Sequence, residues 1–258
     1  MKAFWLLVGS LCTVFAVGVA TAGMFAGFAD ARAPSETVSW GEVFDRPSLK
    51  IDASVGDIEL TIERGPAGQI FVEKSLQWWE AKPETGEEWD RKTLKLNSSC
   101  RPDHHSGEMS CLVHYLVRVP ADTDVEAITG TGSLHVNRLR GNLTLTSENG
   151  TIDMAEIWSP QVRARSDRGH IFSFGMLSDS VDAETVTGSV RLSFDKAPGQ
   201  VRAAVQTGDE IEIQVPEGTA YDVSVEAVHD FIGVMRSAEA EHKLTLSNPH
   251  GTVKVCCS

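Results

Sequence analysis

The sequence predicts an all-β chain: a single-domain β-solenoid, β-helix-like or β-roll-like, of units about 19 residues long, behind one N-terminal apolar segment. Three observations carry that prediction. Glycines recur at a near-constant interval. Aliphatic residues stand in phase with them. Strong helical periodicity is missing after residue 35.

The glycines are Gly56, Gly132, Gly150, Gly169, Gly188, Gly208 and Gly251. From Gly132 to Gly208 the gaps are 18, 19, 19 and 20. The gap of 76 from Gly56 to Gly132 reads as four units, and the gap of 43 after Gly208 as two units with a small insertion. Seven residues before each glycine stand Leu49, Val125, Leu143, Val162, Val181, Val201 and Leu244. Five before stand Ile51, Ala127, Leu145, Ala164, Ala183, Ala203 and Leu246. Two after stand Ile58, Leu134, Ile152, Ile171, Val190, Glu210 and Val253; Glu210 breaks the column, and Ile211 beside it implies a one-residue shift. Residues two apart on a strand face the same way, so each unit reads as strand, glycine corner, strand, with positive φ as the reason for glycine. A lone unit cannot bury both its strands. Stacked units bury a continuous core.

In order along the chain, Ala3 to Ala29 is a run of 27 uncharged residues behind Lys2. A membrane span needs about 20 residues and a signal-peptide core about 7–15. Length favours an uncleaved anchor; cleavage at Ala20-Thr21-Ala22 or Ala29-Asp30-Ala31 is the competing reading. Either way Ala33 onward lies outside the cytoplasm. The domain reading is therefore anchor or signal over 1–32, linker over 33–44, and repeat domain over 45–258. Residues 64–119 form a hairpin-like elaboration with strands at Gln69 to Ser75, Thr93 to Ser98 and Leu112 to Val119, and an acidic loop from Trp78 to Trp89. The net charge of −13 repels a phosphate backbone, which argues against nucleic-acid partners.

The corners Thr131-Gly132-Ser133, Thr187-Gly188-Ser189 and Thr207-Gly208-Asp209, with the Val-Pro-x-x-Thr phrases at Val119 and Val215, resemble those of a bacterial family. It comprises β-strand-repeat domains of unknown function grouped as candidate adhesins, especially the membrane-anchored actinobacterial type. The resemblance covers roughly 45–258. Asn149-Gly150-Thr151 and Arg168-Gly169-His170 depart from the family's usual Thr-Gly-Gly or Thr-Gly-Asp corner. It implies a β-solenoid and an envelope location, and no established activity.

The candidate sites are few. Cys100 and Cys111 flank a polar loop, and in an oxidising compartment a disulfide is the natural reading. The alternative is a metal site from Cys100, His104, His105, Cys111 and His114, whose spacing matches no standard zinc finger. Alternation along the last strand sends Cys257 inward and Cys256 outward, and an intermolecular bridge through Cys256 is an alternative to a free thiol. Trp78, Trp79 and Trp89 are a candidate binding surface for a sugar or a partner; the competing reading packs at least one over an open end of the stack.

No nucleophile elbow, P-loop, dinucleotide fingerprint or calcium-repeat motif occurs, so no catalytic, cofactor or metal residue is assigned. If the Trp78–Trp89 loop, the Cys100–Cys111 loop and an insertion near His229-Asp230-Phe231 met, Glu87, Glu88, His104 and His105 would be its acid–base groups. The sequence thus reads as a non-enzymatic extracytoplasmic protein, membrane-bound through its N-terminal segment, with an envelope protein or polysaccharide as partner. The alternatives are a carbohydrate-binding module, an envelope-stress sensor and, last, a polysaccharide-processing enzyme.

Overall fold

The computed structural model describes residue 15 and residues 17–21, 33–90, 92–100 and 111–257. Eighteen strands hydrogen-bond into one sheet system, and the fold is all-β. In chain order they are β1 (Ser35–Val43), β2 (Ser48–Asp57), β3 (Glu59–Gly65), β4 (Gln69–Trp78), β5 (Glu84–Asp90), β6 (Thr93–Ser99), β7 (Cys111–Pro120), β8 (Asp124–Thr131) and β9 (Leu134–Asn137). There follow β10 (Leu143–Asn149), β11 (Ile152–Ala155), β12 (Gln161–Arg168), β13 (Ile171–Met176), β14 (Ser180–Phe194), β15 (Gln200–Val215), β16 (Ala220–Ile232), β17 (Met235–Arg236) and β18 (His242–Cys257).

The phased glycines mark real corners. Val125 pairs in parallel with Leu143, Leu143 with Val162, Val162 with Val181, and Val181 with Val201. After the corner a second parallel ladder runs through Leu134, Ile152, Ile171, Val190 and Ile211. Every one of these side chains is at most 2% exposed, and all belong to one core cluster. Ile211, not Glu210, takes the core position through a register shift in β15, as the sequence implied.

Positive φ accounts for only some of the corner glycines: Gly56, Gly132, Gly169 and Gly188 have it, while Gly150, Gly208 and Gly251 do not. Close approach is the common requirement. At all seven a Cβ would sit closer than 3.0 Å to a neighbouring atom. At Gly150, Gly169, Gly188 and Gly208 the obstacle is the carbonyl oxygen of the preceding corner glycine, and at Gly251 it is the Gly208 oxygen, 2.6 Å away. Backbone cannot swing aside as a flexible side chain does, so the corners stack only without side chains.

A second column accompanies the glycines. Three residues before successive corners stand Thr129, Ser147, Ser166 and Thr185, all buried. Ser166 Oγ donates to the Gly150 carbonyl at 3.2 Å and Thr185 Oγ1 to the Gly169 carbonyl at 3.0 Å, meeting corner acceptors that the ladder leaves over.

The order of stacking differs from the order of the chain at both ends. The 76-residue gap is not four units: Leu49 lies directly against Val125, and Leu60 against Leu134. The intervening chain supplies one rung, β6 with β7, which pairs with the far side of β2 and β3. At the other end Val201 pairs with Leu244, so the 43-residue gap holds two rungs, β16 and β18, stacked in the reverse of chain order. The residues near His229 are no insertion but part of β16, the rung outside β18. Both end rungs bury a tyrosine fully, Tyr115 in β7 and Tyr221 in β16.

The elaboration also differs in detail. β4 and β7 pair antiparallel, as do β5 and β6. The acidic loop holds a strand, β5, and the expected linker holds β1, paired antiparallel with β4. The N-terminal segment over 1–32 lies largely outside the described residues; residues 15 and 17–21 are helical. Among the described residues no helix is long and apolar enough to cross a membrane.

Candidate functional site

Strand alternation aims the aliphatic columns inward and leaves the other face of each ladder to solvent. On that outward face charges neutralise one another across rungs. In the first ladder Lys50 Nζ meets Glu126 Oε1 at 2.6 Å. In the second, Arg118 Nε meets Glu63 at 2.7 Å, Arg191 Nε meets Glu212 at 2.6 Å, and Lys254 Nζ meets Glu210 at 2.5 Å. Hydrogen bonding from Gln214 and Arg191 holds Glu212 below the usual carboxylate range despite partial burial. These columns are engaged surfaces rather than groups poised for chemistry.

The candidate acid–base groups separate. Glu87 on β5 accepts from Lys74 Nζ at 2.8 Å and from Tyr115 Oη at 2.5 Å, tying three strands together at the N-terminal end of the stack. Burial raises the Glu87 carboxyl, but the bonds from Lys74 and Tyr115 outweigh it, so its pKa lies below the ordinary 4.5. Burial, then the Glu87 carboxylate, drive the Tyr115 phenol strongly upward. Glu87 is thus held ionised in a structural clamp. Glu88 is exposed and pairs across the hairpin with Lys95. His104 and His105 lie outside the described residues. His229 to Phe231 lie in the rung at the other end of the stack, so the three segments do not converge.

Cys100 and Cys111 form a disulfide with Cα atoms 5.8 Å apart, which excludes their use as metal ligands. His114 instead meets Thr61 Oγ1 at 3.0 Å. Cys256 is half-buried, and burial raises its thiol pKa. Cys257 is exposed, contrary to the alternation, with Sγ 3.6 Å from the Gly233 carbonyl. At that end the position opposite the buried Val253 is occupied by Asp230, itself exposed.

The tryptophans do not form one patch. Trp78 and Trp89 are partly buried against the core, with Lys82 Nζ 5.8 Å from the Trp78 ring centre; Trp40 packs likewise. Among the described tryptophans only Trp79, at 44% exposure, faces solvent substantially.

A different aromatic row escaped the sequence reading. His170, immediately before β13, and Phe172 and Phe174 on the outward face of β13 alternate with the buried Ile171 and Ser173. The His170 and Phe172 rings stack at 5.5 Å, and the Arg191 guanidinium lies 5.6 Å from the Phe172 centroid. Phe174 is 70% exposed. The available signal was the His-x-Phe-x-Phe spacing at period two beside a corner glycine.

No protein-family model matches the chain, and no curated protein matches it in sequence. Solved structures match in fold. A candidate adhesin from Bacteroides fragilis NCTC 9343 has a TM-score of 0.50 at 14% identity, over 85% of this chain and 97% of that one. A candidate cell adhesion protein from Clostridium sporogenes ATCC 15579 gives 0.39 at 12% identity, over 86% and 100%. A candidate lipid-binding protein from Parabacteroides distasonis ATCC 8503 gives 0.37 at 11%, over 86% and 97%. At these identities the likeness is one of fold, and it rests on the Bacteroides fragilis structure.

Proposed function

We propose that the chain is a non-enzymatic binding scaffold of the bacterial envelope. Its rungs wind as a β-solenoid, and the N-terminal segment tethers it outside the cytoplasm. The observation that carries this reading is the outward face: rung after rung presents a broad strand surface whose charges are paired, above a continuous apolar core. Such a body is stiff, because each strand inside the stack is held on both sides by ladder bonds, and it displays side chains at set intervals. The engaged state of Glu87 supports the non-enzymatic part, and the Cys100–Cys111 disulfide supports an oxidising compartment. The fold likeness to the Bacteroides fragilis candidate adhesin agrees with surface binding.

The experiment adds purified full-length chain to isolated bacterial cell walls and screens it against polysaccharide and ester substrates. Cosedimentation without turnover is expected. Hydrolysis that survives purification and disappears in Glu87→Gln refutes the non-enzymatic reading, and failure to cosediment refutes envelope binding.

A further inference from the structure

We propose that the row His170, Phe172 and Phe174 at β13 is a binding site for a neutral glycan chain; the inference rests on the scaffold reading and names its ligand class.

The row combines apolar rings with polar edges. Two residues along a strand advance about 6.8 Å, so the three side chains form a line that a chain of sugar rings can follow. Phe174 is the exposed end of that line, with the small Ala155 beside it on β11. Aromatic rings take the apolar C–H faces of a sugar, and hydroxyls at the sugar's edge need hydrogen-bond partners. The Asp195 carboxylate stands at the Phe174 end, and Glu156 is joined to that end through its backbone N–H, which donates to the Phe174 carbonyl at 2.9 Å. Position 175 is a glycine at φ +65°, and a Cβ there would lie 3.5 Å from Asp195 Oδ2 and 3.8 Å from the Glu156 backbone. Both carboxylate residues are exposed, and among the described residues neither side chain has a hydrogen bond or ion pair.

Charge and area select the ligand. Two unengaged carboxylates accept from hydroxyl donors and repel acidic polymers. A protein partner needs roughly 800 Å² of each surface. The apolar row is a single strand wide, since Asp153 on β11 and Arg191 on β14 flank Phe172 at the ordinary strand spacing of about 4.8 Å. A strip of that width suits one slender chain and is too narrow for the apolar centre of a protein interface.

The test is affinity electrophoresis of the full-length chain, in non-ionic detergent, through gels containing hydroxyethyl cellulose, galactomannan or dextran, with alginate and polylysine as charged comparisons. At least one neutral polymer should retard the protein. Phe174→Ser should weaken that retardation at least tenfold, with its melting temperature within a few degrees of the parent because Phe174 lies outside the core. Trp79→Ser should leave it unchanged, and Phe174→Trp should strengthen it. The site assignment falls if retardation survives Phe174→Ser or depends on Trp79. The ligand class falls if no neutral polymer retards the chain, or if alginate or polylysine binds better. Cell-wall cosedimentation persisting in either case leaves the scaffold reading standing, whereas its loss removes that reading separately.

Discussion

Gly150→Ala isolates the close approach of corner to corner. Gly150 lacks the positive φ of Gly132, Gly169 and Gly188, so the backbone itself tolerates alanine there. The added methyl would overlap the Gly132 carbonyl of the neighbouring rung. Relief requires parting two hydrogen-bonded rungs, because backbone is the obstacle. Overpacking of this kind costs about 1–3 kcal/mol. For a domain of this size each kcal/mol lowers the melting temperature by about 2–4 °C, so a fall of roughly 2–12 °C is expected. Gly218→Ala is the comparison. Unlike Gly150 it has positive φ, +83°, and a Cβ there meets nothing within 4 Å, so the left-handed conformation alone acts, at about 1–2 kcal/mol. Scanning calorimetry on both variants, and on Gly169→Ala in the rung next to Gly150, decides the matter. Gly169→Ala combines both penalties and should be the worst of the three. If Gly150→Ala melts with the parent, the account of the corners is wrong.

Two further outcomes follow from the same physics. Val181→Asp places an unpaired charge at a position 1% exposed between Val162 and Val201, and should cost about 4 kcal/mol or more, read by urea denaturation. An unchanged midpoint contradicts its inward placement. Glu87→Gln tests the clamp through pH. The folded pKa lies below 4.5, so the carboxylate's contribution is fully present above the unfolded value and is lost as pH falls through the folded one. The gap in stability between parent and Glu87→Gln should be constant from about pH 6 to 8 and close as pH drops below about 4. A gap that persists at pH 3 refutes the sign.

The inward columns were legible in the sequence because strand alternation and a fixed corner impose the same spacing on every rung. Val162, Val181 and Val201 are buried as the spacing demands, and even the shift from Glu210 to Ile211 could be read. Stacking order could not. Phase says which residues face in, but not which rung lies beside which, so Leu49 against Val125 is invisible to periodicity. β5 was missed because its acidic sequence carries no apolar alternation; it is held by pairing with β6 and by Glu87. The inward placement of Cys257 failed because alternation assumes a covering neighbour, and the pairing of β16 with β18 ends at Ile232 opposite Val255, so no residue of the outer rung stands opposite Cys257. The disulfide was readable from two cysteines flanking one loop. The aromatic row is hard to read from the repeat because in-phase columns compare positions across rungs, whereas His170, Phe172 and Phe174 follow one another along a single rung.

The most direct test of the architecture is a cross-link between residues 50 and 126. Lys50 and Glu126 are 76 positions apart in the chain and stand opposite each other on adjacent parallel strands. The variant carries Lys50→Cys and Glu126→Cys with Cys256→Ser and Cys257→Ser, and is treated with a short bifunctional thiol reagent under native conditions. Direct adjacency predicts rapid intramolecular cross-linking, seen as a shifted band on denaturing gels and as a linked peptide pair by mass spectrometry. If further rungs separated the two strands, at about 4.8 Å each, the thiols would lie beyond the reagent's span. Absence of the linked pair in a folded variant would contradict the swapped order of rungs.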